Sequence, residues 1–113
     1  MHALKRELIN LNWSEKELLD RITMLHQQRV KERANKYITS TNARKAYVKE
    51  HEKETGLTRK TLYNLLNGQH RLTEDKAMLI FQVISDARKS RGLEPYKEYS
   101  ELDIVLYKRA VKE

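Results

Sequence analysis

The sequence predicts an all-α fold, a compact bundle of five or six helices, and three observations predict it. Only three Gly and one Pro interrupt 113 residues, so few points can break a helix, and the helix formers Leu, Lys, Glu, Ala and Arg dominate. Apolar side chains recur at helical spacing along most of the chain. Ser, Thr or Asn stand ahead of these stripes and Gly follows several of them, which is what helix ends require.

The elements follow in order. Leu4, Leu8 and Leu11 predict a first helix near residues 3–10. A stronger start signal comes next: Ser14 caps, Glu17 completes a capping box three residues on, and Trp13 and Leu18 form a hydrophobic staple. The helix opening at Glu15 carries the stripe Leu18, Leu19, Ile22 and Leu25. It then turns polar and basic, with Val30, Ala34 and Tyr37 keeping an intermittent face to about residue 38. Residues 1–41 therefore read as an N-terminal helical extension. The cluster Thr39-Ser40-Thr41-Asn42 ends that helix and starts another over about 43–54, which Gly56 stops by taking the left-handed conformation.

After a tight turn at Leu57, Thr58 caps a short helix that turns Leu62, Leu65 and Leu66 inward and ends at Asn67-Gly68. Thr73 caps the next, with Glu74 and Asp75 at its positive end and a stripe of Ala77, Ile80, Phe81 and Ile84. It ends near Ser90 or Arg91, before Gly92 and Pro95, and a loop carries Tyr96 and Tyr99. Ser100 with Asp103 opens a last helix over 100–112. Leu102, Val105 and Leu106 form one face, and Ile104, Tyr107 and Val111 a second that could meet a partner chain.

A chain of this length fits one domain, and with 39% apolar and 35% charged residues it can bury a single core with little left for large exposed patches. Residues 1–113 are read as that domain. The absence of Cys excludes disulfides and thiolate metal sites. No apolar run approaches the roughly 20 residues of a membrane span, and the N-terminus lacks a signal-peptide core, so a cytoplasmic protein without membrane contact is expected.

Charge is unevenly placed. Residues 1–26 balance four basic against four acidic side chains and residues 74–113 balance eight against eight, so the whole net charge of +7 lies in residues 27–73. A basic stripe confined to one stretch is what phosphate neutralisation and counterion release need. Solvated helix faces are the plainer explanation for a basic protein in general, but they do not require such localisation.

Within that stretch, residues 43–67 describe a helix-turn-helix: two helices joined by a three- to four-residue turn around a glycine, the second short and rich in hydrogen-bonding side chains. The B-DNA major groove admits one α-helix, and its base edges are told apart by donor and acceptor pattern, so an inserted helix must present such groups. Gly56-Leu57-Thr58-Arg59-Lys60-Thr61-Leu62-Tyr63-Asn64-Leu65-Leu66-Asn67-Gly68 resembles the motif of the lambda-repressor/Cro-like (XRE) family. Its continuation through Ala77 is similar to the corresponding stretch of HigA-type antitoxins.

The resemblance implies a cytoplasmic transcription regulator, a repressor of phage, plasmid or toxin-antitoxin type, that binds double-stranded DNA as a homodimer. It implies base contacts from Thr58, Arg59, Lys60, Tyr63 and Asn64, where Arg59 or Lys60 suits guanine and Asn64 adenine. Phosphate contacts would come from Arg44, Lys45, Asn67, His70 and Arg71, with Leu57, Leu62 and Leu65 as anchors. The chain departs from the family in the first motif helix, where His51, Glu52 and Thr55 stand at small or aliphatic positions and leave Tyr47 and Val48 as the chief anchors. TetR-type repressors carry a segment like residues 56–63, but need a large ligand-binding domain afterwards, so no small-molecule ligand is expected.

Other chemistries find little support. His2, His26, His51 and His70 are scattered singly without ligand spacing, so neither metal nor cofactor is expected. No phosphate loop or nucleophile elbow occurs, and no enzyme is expected. Six tyrosines could stack on single-stranded bases, but spread over helices they are better read as core edges. The rival reading is an adaptor or anti-regulator that keeps a helix-turn-helix scaffold to bind protein.

Overall fold

In the computed structural model, which describes residues 2–53, 55–69 and 71–107, the chain is all-helical. Helices α1 (Ala3–Leu11), α2 (Glu15–Tyr37), α3 (Thr41–His51), α4 (Arg59–Leu66) and α5 (Glu74–Ser90) are followed by a 3-10 turn at Tyr99–Leu102. No described helix is long and apolar enough to cross a membrane.

The local signals act largely as their chemistry dictates. Ser14 Oγ accepts from the Glu17 amide at 3.1 Å, while the Glu17 carboxylate turns to Arg21 Nε at 2.8 Å, so half of the expected capping box forms. Trp13 packs half-buried on the core, and its ring carries the Arg21 guanidinium 4.3 Å from the centroid. Thr73 occupies the cap position of α5 but makes no side-chain cap bond; Glu74 and Asp75 supply the anionic first turn.

The core is one cluster. Leu4, Leu8 and Leu11 of α1, Leu18 and Ile22 of α2, Leu62, Leu65 and Leu66 of α4, and Ile80 and Ile84 of α5 meet in it, joined by Leu57, Leu72, Leu102 and Ile104 from the connections. Helix α2 is the spine on which α3, α4 and α5 pack. Val30 and Ala34 are also buried but lie outside this cluster, on the second half of α2. That half is covered by α3, whose end is pinned where His26 Nε2 meets the His51 carbonyl at 2.7 Å. The α2–α3 hairpin thus stands off the core. A radius of gyration of 15.7 Å, against about 13 Å for a compact domain of this length, reflects the projection.

Two expectations are corrected. The first motif helix, expected over about 43–54, spans Thr41–His51 instead, and seven positions separate it from α4, more than a three- to four-residue turn. Thr55 Oγ1 bonds both the amide (3.1 Å) and the carbonyl (3.2 Å) of Leu57, a local turn that competes with helix, and Gly56 takes φ +68° inside it. Nor do the described residues of the 100–112 segment form an α-helix: residues 100–102 belong to the 3-10 turn. After the 3-10 turn the chain is extended, with the Leu72 amide donating to the Val105 carbonyl (2.9 Å) and the Tyr107 amide to that of Leu72 (3.0 Å). Residues 108–113 lie outside the described residues. Leu102 is buried within the 3-10 turn, and along the extended segment Ile104 is buried and Leu106 half-buried while Val105 and Tyr107 are exposed.

A buried polar cluster ties the ends together. Glu7, only 1% exposed, accepts from Arg88 Nη1 at 2.8 Å through one carboxylate oxygen and from the Tyr96 hydroxyl at 2.6 Å through the other. The Asp103 carboxylate accepts from the Ala3 amide at 2.7 Å, so the C-terminal segment caps the start of α1.

Candidate nucleic-acid interface

Helix α4 is built from both of its sides. Thr58 Oγ1 accepts from the Thr61 amide at 3.2 Å and meets Thr61 Oγ1 at 3.0 Å, which fixes the start. Leu62, Leu65 and Leu66 then turn inward at helical spacing and are buried, with Leu57 buried just ahead of the cap. That placement leaves Arg59, Lys60 and Tyr63 exposed, the tyrosine by 58%, with Asn64 half-buried at the edge of the same face.

The first turn of α4, like those of α1 and α3, holds no acid. Helices α2 and α5 place Glu15 and Glu17, and Glu74 and Asp75, in their first turns, whereas α4 has no acid there and begins with Arg59 and Lys60. Cations at the positive end of a helix are unfavourable by about 0.3–1 kcal/mol each, so Arg59 and Lys60 do not stabilise this end of α4. Among the described residues neither side chain makes a hydrogen bond or ion pair.

The expected contact residues are not equivalent. Thr58 uses its hydroxyl as the cap, so its oxygen is engaged within the helix. Asn67 folds its amide back onto the Tyr63 carbonyl at 3.0 Å. Arg71 is exposed in the loop after α4, and His70 lies outside the described residues. Arg44 and Lys45 stand apart on α3, which packs chiefly on α2; Lys45 is exposed, while Arg44 is half-buried and its Nε donates to the Ile38 carbonyl. Helix α3 contributes no buried residue, and Tyr47 and Val48 are only half-buried.

Lys31 of α2 and Lys49 of α3 were indistinguishable from other basic residues in the sequence, yet they line one groove with Arg44 and Lys45. Only the antiparallel packing of the two helices brings them together.

No family model, curated protein or solved structure matches the chain. The family resemblance accordingly rests on the residues of 56–77 themselves.

Proposed function

We propose that this protein is a sequence-specific double-stranded DNA-binding regulator, a repressor of phage, plasmid or toxin-antitoxin type, that reads base edges with α4. The observation that carries the reading is the exposed set Arg59, Lys60 and Tyr63, whose side chains have no partner among the described residues, on a helix whose opposite side is anchored by three buried leucines. Arg59 and Lys60 are the leading base contacts, Asn64 a contact at the rim, and Arg71 and Lys45 contacts to phosphate. One short helix reads only a few base pairs, so a symmetric dimer on two half-sites is part of the proposal.

Selection of bound duplexes from a random pool, followed by titration of the selected site over a salt series, tests it. A recurrent motif and a steep loss of affinity with salt are expected. Arg59→Ala should cost about 1–3 kcal/mol and relax preference at one base position. Equal loss on every sequence would reassign Arg59 to phosphate, and binding without any motif would remove α4 as a reader.

A second reading, an adaptor that binds protein through the same scaffold, is favoured by one observation. Helix α3 has no fully buried residue of its own and is separated from α4 by residues 52–58, which departs from the tight two-helix unit that sets groove insertion. Such an adaptor would show no salt-dependent duplex binding.

A further inference from the structure

We infer that the α2–α3 hairpin is a second duplex-binding element, with DNA backbone phosphates lying along the groove between its two helices. This rests on the reading of α4 as a DNA-contacting helix and extends the footprint beyond it. The groove gathers Lys31 from α2 with Arg44, Lys45 and Lys49 from α3, against the one carboxylate of Glu52 among the described residues. No ion pair joins any of these cations to an acid among the described residues.

The arrangement works against the hairpin's own stability. Lys45 and Lys49 are like charges one helical turn apart, and α3 has no acid in its first turn. An eleven-residue helix is marginal alone, and none of this one's own residues is fully buried, although it covers Val30 and Ala34 of α2. Unpaired surface cations are common among the described residues, Arg21 and Arg88 being paired to carboxylates; what sets this groove apart is that cations from two helices converge on it. Uncompensated cations from two helices around one groove suit a ligand that brings regularly spaced negative charge. Continuity of α3 with the link into α4 makes the flanking backbone of the same duplex that ligand.

The test is the salt dependence of duplex binding by the full chain and by the Lys31→Gln/Lys49→Gln variant. Both side chains are exposed, so the variant should fold, with a melting temperature equal to or above that of the parent once like-charge repulsion is relieved. Removing two phosphate contacts should lower the slope of log K against log salt by about 1.8 while keeping the base preference. An unchanged slope in a folded variant would overturn the hairpin and leave α4 standing. A lowered slope in a parent without sequence preference would support the hairpin and overturn α4 as the reader. Failure of the parent to bind duplex would overturn both, and equal competition by polyglutamate would overturn the assignment of the groove to DNA.

Discussion

Truncating Glu7 to alanine should destabilise the protein more than any change on the proposed DNA surface. The carboxylate is 1% exposed and satisfies two partners, the Arg88 guanidinium at 2.8 Å and the Tyr96 hydroxyl at 2.6 Å. Its removal strands both. Breaking a buried ion pair costs about 3–5 kcal/mol, because the remaining charge has lost both its partner and its water. Arg88 keeps 17% of its side-chain surface in solvent and still donates through Nε to the Glu94 carbonyl at 2.6 Å, which places the cost at the lower end, about 3 kcal/mol.

For 113 residues, at about 2.1 cal/mol/K each, the unfolding entropy is about 0.24 kcal/mol/K, so the midpoint should fall by about 12 °C. Thermal melts followed by circular dichroism at neutral pH would measure it. Tyr96→Phe, which removes one hydrogen bond to a charge, should cost about 2 kcal/mol, and the double variant should lose less than the sum. Lys5→Ala on the exposed face of α1 is the control and should shift little. A fall below about 4 °C for Glu7→Ala would refute the claim that this carboxylate pins α1 to α5 and the C-terminal loop.

Alkali should weaken the fold through the tyrosines of that same region. Burial, then the hydrogen bond and charge of Glu7, push the Tyr96 phenol up, with Arg88 opposing; burial, then the charge of Glu74, does the same for Tyr99. A phenol with a raised folded pKa contributes stability that is full below its unfolded value, about 10, and is lost as pH rises through the folded one. Denaturant midpoints should therefore fall above about pH 10, and less so in Tyr96→Phe; a flat profile would contradict the shift. Gly56→Ala should cost about 1–2 kcal/mol in a urea titration, because φ is +68° and a new Cβ would stand 2.5 Å from the flexible Lys76 Cε, which can swing aside. Gly68→Ala, at φ +73° with open space around it, should cost no more than that; a larger loss there would mean that something other than backbone strain acts.

Features set by a few neighbouring residues were legible before any coordinates. Ser14 and Thr58 cap α2 and α4, and Leu62, Leu65 and Leu66 turn inward while Arg59, Lys60 and Tyr63 turn out, because helical periodicity and capping are local chemistry. The end of α3 was not legible, since it depends on His26, distant in sequence, reaching the His51 carbonyl and on Thr55 closing a turn on Leu57. Residues 100–107 held an ambiguous pattern: Leu102 and Ile104 alternate with Asp103 and Val105, and the same apolar residues fit two faces of a helix or two sides of a strand. Leu72 decided between them by supplying backbone partners across the chain.

By itself, then, the sequence determined the helical class, the amphipathic α4 and the confinement of excess positive charge to residues 27–73. Tertiary structure alone decided that Glu7 is buried, that Asp103 caps the start of α1, and that Lys31 and Lys49 share a groove. The physical reason is range: propensity, caps and periodicity act within a turn or two, whereas burial of a charge and the meeting of two helices depend on residues that only packing brings together.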